Sequence, residues 1–117
     1  MSVPNVLIVD DDPASRSMLG LSLRQAGCTV RTAGSGEEAL LLLAATRYDW
    51  LVTDARMLPM TGFELSIRAK GLQGDIRILM VSAAHSAGEA AGCPIEGFFA
   101  KPVPVDKILS LIAPENR

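Results

Sequence analysis

The fold is indicated most clearly by one stretch near the N-terminus, Val6-Leu7-Ile8-Val9-Asp10-Asp11-Asp12-Pro13. Its first four residues are all apolar, which suits a β-strand covered on both faces better than one that faces water. Three aspartates and a proline follow at once, and Asp12 can cap a helix that has Pro13 at its first position. The stretch therefore predicts a central strand that leads through an acidic turn into a helix.

Four more short β-branched or aliphatic runs follow, and helix-like stretches separate them. The predicted strands are Asn5 to Val9, Cys28 to Ala33, Trp50 to Thr53, Ile76 to Val81 and Gly97 to Ala100. Strands that alternate with helices are typical of a parallel sheet with helices on both faces. The sequence therefore predicts an α/β fold.

Local signals place the helices between these strands. Gly27 is expected to end the first helix, and Pro104 to open the last one. Two capping boxes mark the helices between them, Ser35 with Glu38 and Thr61 with Glu64. The stretch Ser86 to Gly92 has two glycines and no large apolar residue to pack it against the sheet. We therefore predict a short or weak fourth helix.

Composition excludes several classes of protein. The chain has 117 residues, 49% of them hydrophobic, and a net charge of -2, which predicts a single domain over residues 1–117 with no basic surface for nucleic acid. The N-terminus lacks the pattern of a signal peptide, and no apolar run approaches the length of a membrane span, so we expect a cytoplasmic protein. Cys28 and Cys93 lie far apart without metal-binding spacing, which predicts two reduced thiols.

Chemically active side chains follow the predicted strands, at the edge of the sheet where loops converge. They are Asp10, Asp11 and Asp12 after the first strand, Asp54 after the third, Ser82 after the fourth and Lys101 after the fifth. Each alone has a simpler explanation, as a cap, a turn or a surface charge. Gathered together, the carboxylates would repel one another unless a cation lay between them, and oxygen ligands at an open site favour Mg²⁺. A hydroxyl and an ammonium beside them suit a phosphoryl group, with Asp54 as the nucleophile.

These residues resemble the receiver domain of two-component response regulators, over nearly the whole chain from Val6 to Ile112. The likeness lies in the acidic pair after Val9, in Asp54 with Gly62 at the usual offset, in the step Ser82-Ala83 and in the step Lys101-Pro102. It implies a doubly wound, flavodoxin-like parallel sheet in the order 2-1-3-4-5. It also implies a cis peptide bond before Pro102.

The resemblance further implies how the site works. Mg²⁺ would be bound by Asp11, Asp54 and the backbone carbonyl of Arg56, and by Asp10 through water. The hypothesis is that Asp54 takes a phosphoryl group from a histidine kinase or phosphotransfer protein, and that Lys101 and Ser82 hold its oxygens. Phe98 lies where the family carries its switch aromatic. The resemblance implies that Phe98 turns inwards when Ser82 moves towards the phosphoryl group, and that this changes the surface to which a downstream protein target binds. The domain would then have no enzymatic activity other than its own phosphorylation and dephosphorylation.

The sequence departs from the family pattern in two places. Leu58 stands where the family usually has proline, and Pro59 follows it, which predicts a different path for the loop that covers the metal. The stretch from Ser82 to Lys101 is shorter than usual by about one helical turn. Two neighbouring positions, Arg56 and Ala84, are of the kind that tune the lifetime of the phosphoryl group in this family. His85, the only histidine, is interpreted as a loop residue.

Three alternatives remain at this point. Gly34 to Ala39 matches a dinucleotide fingerprint, although Glu37 and Glu38 would place negative charge where a pyrophosphate must lie. A phosphate hydrolase of the haloacid-dehalogenase kind would use Asp10 as nucleophile with Asp12 beside it. An interaction domain that works without phosphate is the third. The sequence names neither the kinase nor the target, and it leaves the oligomeric state open.

Overall fold

Strands and helices alternate along the chain, as predicted, in a computed structural model that describes residues 3–83 and 87–113. The strands are β1 (Asn5–Val9), β2 (Thr29–Ala33), β3 (Trp50–Asp54), β4 (Arg77–Ser82) and β5 (Gly97–Ala100). The helices are α1 (Pro13–Gln25), α2 (Gly36–Ala45), α3 (Gly62–Leu72) and α4 (Val105–Ile112), with a 3₁₀ helix at Ala87–Ala90. That four-residue turn occupies the place of the predicted weak fourth helix and confirms it.

The five strands form one parallel sheet in the order β2-β1-β3-β4-β5, which confirms the predicted topology. β1 lies inside the sheet, where Val6 pairs with Val30 on one side and with Trp50 on the other. Its four apolar residues are fully or almost fully buried. A strand in this position is covered on both faces, which explains why β1 has no polar alternation.

Two apolar layers cover the two faces of the sheet. Leu7 and Val9 point towards α2 and α3, in a cluster that includes Leu43 and Leu65. Val6 and Ile8 point the other way, towards α1 and α4, in a cluster that includes Leu23 and Ile108. Successive strand residues face opposite sides of a sheet, so this alternation makes the fold doubly wound.

The helix boundaries agree with the local signals, with one exception. Gly27 adopts a φ of 99° just after α1, a conformation that other residues rarely adopt. Ser35 accepts a hydrogen bond from the backbone N–H of Glu38, and Thr61 accepts one from that of Glu64. Asp12 precedes α1, but its side chain makes no capping bond and accepts a 2.8 Å hydrogen bond from the Ser15 hydroxyl instead.

Two predicted strand starts were one residue early. The backbone N–H of Cys28 donates to the carbonyl of Leu23, so Cys28 belongs to the turn that closes α1. The N–H of Ile76 donates to Gln73 in the turn before β4. Both residues are buried and apolar, and hydrophobicity alone therefore could not separate them from the strands that follow.

Within residues 3–83 and 87–113, no helix combines the length and the apolar character that crossing a bilayer requires. The cytoplasmic location stays a prediction. Both cysteines are free thiols, as expected, with Cys28 buried and Cys93 partly buried.

Candidate functional site

Asp10 follows β1 directly and is held in place through its backbone and its side chain. Its N–H donates to the Ala33 carbonyl of β2 at 3.2 Å, which extends the sheet by one residue. Its Oδ1 accepts a 2.9 Å hydrogen bond from the N–H of Asp12, and Asp10 as a whole is only 4% exposed. Burial of a carboxylate is costly unless it is paired, so partners for Asp10 are expected nearby.

Asp54 is the last residue of β3, the strand next to β1, and is 6% exposed. The N–H of Arg56 lies 3.4 Å from its Oδ1, a long hydrogen bond. The neighbouring Ala55 donates to the Val81 carbonyl of β4 at 2.8 Å. Asp54 thus lies at the centre of the carboxyl edge of the sheet, between β1 and β4.

Gly62 explains why the resemblance required glycine at this offset from Asp54. Its N–H donates to the Ala55 carbonyl at 2.9 Å, which brings the start of α3 against the end of β3. A Cβ atom at position 62 would lie 2.1 Å from the backbone oxygen of Asp54. Any other residue would therefore push α3 away from the strand that carries Asp54.

Lys101 supplies the positive charge of the site. Its backbone N–H donates to the Ser82 carbonyl at 2.9 Å, and the peptide bond that follows it, to Pro102, is cis, as the resemblance implied. Its ammonium Nζ lies 3.1 Å from Asp10 Oδ2 and 3.6 Å from Asp54 Oδ2. One cation therefore bridges carboxylates from two neighbouring strands.

The pKa values of Asp54 and Lys101 are both raised. Burial is the main cause for Asp54, the negative charges of Asp10 and Asp11 add to it, and the Lys101 ammonium opposes it. Burial alone would lower the pKa of Lys101, but its hydrogen bond with Asp10 and the charges of Asp10 and Asp54 outweigh that effect. Lys101 is accordingly held in its charged form.

The three aspartates fit a magnesium ion. One carboxylate oxygen from each of Asp10, Asp11 and Asp54 lies within 4.8 Å of the others. Asp10 and Asp54 are buried while Asp11 is exposed, so the group is open on one side. Mg²⁺ prefers oxygen ligands and keeps several waters, which an open group of carboxylates allows. The role of the Arg56 carbonyl as a ligand stays a prediction.

Ser82 and Phe98 lie on the strands beyond Asp54. Ser82 ends β4 and is 1% exposed, one residue after Val81, which pairs with Asp54. Phe98 is half-buried on β5, where it pairs with Met80. Ser82 therefore lies at the same edge of the sheet as the aspartates. Phe98 lies within β5, farther from that edge. Their roles in a switch stay predictions.

The loop after β3 contains Leu58 and Pro59, and its predicted difference in path from the family loop stays a prediction. Leu58 is 81% exposed, and the peptide bond between Leu58 and Pro59 is cis. The loop is anchored on both sides of this pair, because Met57 and Met60 are buried in the layer that contains α2 and α3. Arg56 is exposed. Ala84 and His85 lie outside the described residues.

Hydrogen bonds at the start of α2 account for the residues of Gly34 to Ala39 without a bound dinucleotide. The Glu38 Oε1 accepts a 2.9 Å hydrogen bond from the Gly34 N–H, and Ser35 Oγ accepts a 3.1 Å bond from the Glu38 N–H. The glycine, serine and glutamate thus satisfy one another at the start of α2. The acidic groups remain where a pyrophosphate would have to bind.

One residue of the site was missed. The guanidinium Nη1 of Arg16 on α1 donates a 2.7 Å hydrogen bond to the backbone carbonyl of Asp10. No motif marked Arg16. Its place in the first turns of the helix that follows β1 was the available signal, because that turn must pass beside the end of the strand.

Comparisons with known proteins agree with this geometry. The family model described as the response regulator receiver domain matches residues 6–113. The transcriptional regulatory protein GlrR of Escherichia coli is 33% identical over 92% of this chain, and the response regulator MprA of Mycobacterium tuberculosis is 36% identical over 94% of it. This chain spans about a quarter of GlrR and about half of MprA. The chain belongs to the response regulator receiver domain family.

The fold of this chain is also similar to that of a solved structure. It is a response regulator from Burkholderia pseudomallei with a phosphorylated aspartic acid, a calcium ion and citrate. Its sequence is 29% identical, and the superposition gives a TM-score of 0.86 over 95% of this chain and 67% of that one.

Proposed function

We propose that Asp54 accepts a phosphoryl group from a phosphohistidine of a histidine kinase or phosphotransfer protein, in a reaction that depends on Mg²⁺. The observation that carries the proposal is the convergence of Asp10, Asp11 and Asp54 around one point, with the Lys101 ammonium bound to two of them. A bound Mg²⁺ would neutralise negative charge on the incoming phosphoryl oxygens.

Each residue of the site would have its own role in the phosphoryl transfer. An oxygen of Asp54 forms a bond to phosphorus while the bond from phosphorus to the donor imidazole nitrogen breaks. The electron pair of the broken bond stays on that nitrogen, which takes up a proton. Lys101 lies 3.6 Å from Asp54 and can pair with an oxygen of the new acyl phosphate, and Ser82 can donate its hydroxyl to another. Asp10 and Asp11 would hold the ion together with Asp54.

The partner would approach the open side of the site. A groove of about 250 Å³ adjoins Lys101 between α1 and the segment that follows β5. Its lining is mostly apolar and includes Ala14, Met18, Leu19, Pro102 and Val103. A partner that brings its phosphohistidine to Asp54 can bury apolar side chains there.

Phosphorylation would change the surface by moving Ser82 towards the new charge, which leaves room for Phe98 to turn inwards. GlrR is named a transcriptional regulatory protein, which describes that longer chain. For the chain described here, we propose a protein target and no direct contact with nucleic acid. We also propose that it has no enzymatic activity beyond its own phosphorylation and dephosphorylation.

The alternative hydrolase would need Asp12 as a proton donor. The hydroxyl of Ser15 donates to Asp12 and is the main reason that the pKa of this exposed carboxyl is lowered, which disfavours the protonated form that a general acid needs. This contact favours a phosphoacceptor over a hydrolase.

The test is covalent labelling with acetyl phosphate and Mg²⁺, followed by intact mass measurement. The wild-type chain should gain one phosphoryl group and Asp54→Asn none. Asp75→Asn is the matched control, because Asp75 is exposed and its contact is a 3.6 Å ion pair with Arg47. Labelling of the Asp54→Asn variant to the same extent as wild type would overturn the assignment.

The proposed switch has a separate test. Beryllofluoride with Mg²⁺ mimics an acyl phosphate, and its addition should shift amide NMR signals at the strand ends and as far as Phe98. Shifts confined to the residues around Asp54 would contradict the role of Phe98 and leave the phosphoacceptor role in place.

A further inference from the structure

Arg16 reaches from α1 to the end of β1. The β1 ladder ends at Val9, which pairs with Ala33 on one side and Thr53 on the other. Asp10 follows this last ladder residue, and Arg16 donates a 2.7 Å hydrogen bond to its partly buried carbonyl. A guanidinium therefore contacts the carbonyl of the first residue after β1, whose N–H is still paired with β2.

The peptide group that Arg16 contacts joins Asp10 to Asp11. These two residues supply two of the three carboxylates that converge with Asp54. The N–H of Asp12 donates to Asp10 Oδ1, so the acidic turn also holds the Asp10 side chain. A shift of this peptide group that carried the two flanking Cα atoms with it would displace both carboxylates together.

The guanidinium also lies against the loop that follows β2. A Cβ atom at Gly34, in the loop after β2, would lie 3.1 Å from Arg16 Nη1. This separation is tight for such a contact, so the guanidinium lies closely between the end of β1 and the loop that leads to α2. Its planar, fixed arrangement of donors makes it a more rigid support than a lysine ammonium.

We propose that Arg16 is a positioning residue of the metal site, which fixes the Asp10–Asp11 peptide group so that both carboxylates face the ion. The proposal rests on the proposed function, because it concerns the same Mg²⁺. Residues that orient metal ligands without touching the ion typically change metal affinity by about 10–100-fold when they are replaced. Arg16 would orient Asp10 in this way, because it holds the Asp10 carbonyl and would not itself touch the ion.

The experiment compares Arg16→Met, Arg16→Lys and Arg24→Met with wild type by calorimetric titration with MgCl₂. Methionine keeps the aliphatic stem and removes the donors. Arg24 is the matched control, because it lies on the same helix and donates its Nη2 to the Val30 carbonyl at 3.2 Å, on the neighbouring strand β2 and without any contact with the acidic group. We expect Arg16→Met to weaken Mg²⁺ binding about tenfold, Arg16→Lys to restore part of it and Arg24→Met to leave it unchanged.

A second measurement needs no metal. In Mg²⁺-free protein, the amide proton of Asp12 should exchange with solvent faster in Arg16→Met than in Arg24→Met, because its acceptor Asp10 is less firmly held. Equal Mg²⁺ affinity of wild type and Arg16→Met, or equal loss in both methionine variants, would overturn the proposal. If wild type bound Mg²⁺ normally in that case, the proposed function would stand, whereas a wild type that bound no Mg²⁺ would contradict both.

Discussion

Asp54 and Lys101 illustrate, at the scale of single residues, how the site holds charge that burial disfavours. Burial raises the pKa of Asp54, and its two acidic neighbours raise it further. The ammonium of Lys101 reduces this cost without removing it, since the pKa of Asp54 remains raised. Burial of the Asp54 charge is the larger cost and repulsion adds to it, and a bound cation would offset both.

The raised pKa of Asp54 predicts a pH-dependent effect of Asp54→Asn on stability in Mg²⁺-free buffer. Because the pKa of Asp54 is higher in the folded than in the unfolded chain, its ionisation costs stability above the folded pKa, and the cost vanishes below the unfolded value. Asp54→Asn should increase the free energy of unfolding at pH 7, and this advantage should shrink as the pH falls through the raised folded pKa towards the unfolded value of about 3.8. Urea denaturation at several pH values measures both, and a variant less stable than wild type at pH 7 would contradict the expectation.

Gly62 and Gly71 predict opposite effects of the same substitution in one helix. A methyl group at Gly62 would meet the Asp54 carbonyl at 2.1 Å, whereas nothing lies within 4 Å of a Cβ at Gly71. Gly62→Ala should destabilise the fold by about 1–3 kcal/mol through overpacking. Gly71→Ala should stabilise it by up to about 1 kcal/mol, because alanine favours a helix interior. Chemical denaturation of both variants is the measurement, and equal effects would disprove the close approach of α3 to β3.

At the scale of elements, hydrogen bonds from side chains decide where α2 and α3 begin. Ser35 and Thr61 each satisfy a backbone N–H that the helix itself leaves unpaired. Both helices start directly after loops at the carboxyl edge of the sheet, so the caps also determine how close the helix starts lie to the aspartates. The 3₁₀ helix at Ala87–Ala90 has no large apolar residue in its sequence, and it stays a single short turn.

Ser35→Ala should lower the free energy of unfolding by about 1 kcal/mol, because it removes the capping bond to Glu38. Ser110→Ala serves as control, since the Ser110 hydroxyl is exposed and donates only within its own helix, to the Lys107 carbonyl. That control should change stability by less than about 0.5 kcal/mol. Thermal and urea unfolding of the two variants compare the effects, and equal losses would show that Ser35 does not act as a cap.

At the scale of the whole molecule, a buried polar residue connects elements that are distant in sequence. Gln73, at the end of α3, accepts a 2.9 Å hydrogen bond from the Tyr48 N–H through its Oε1. Its amide nitrogen donates to the carbonyls of Leu43 and Thr46, at the end of α2 and just after it. One side chain thus holds the connection between α2 and β3 against α3, at the amino end of the sheet and away from the site.

Gln73→Ala should therefore destabilise the protein by more than about 2 kcal/mol, because it leaves several buried backbone groups without partners. Gln73→Glu keeps the acceptor but loses both amide donors, and it should be destabilising as well. Phosphorylation of the folded fraction by acetyl phosphate should stay unchanged, since no contact of Gln73 reaches Asp54. A loss of less than about 0.5 kcal/mol in Gln73→Ala would contradict this account.

Features that depend on neighbouring residues could be predicted from the sequence alone: the apolar run of β1, the glycine after α1, the capping residues of α2 and α3, and the weak segment between β4 and β5. The motif residues also indicated the edge of the sheet at which the site lies. The tertiary structure alone decided the distances that join Asp10, Asp54 and Lys101, the support that Arg16 gives and the links that Gln73 makes. These contacts join residues between 6 and 91 positions apart, so they exist only after strand pairing and helix packing have placed the elements together. No local pattern of propensity or hydrophobicity can specify them.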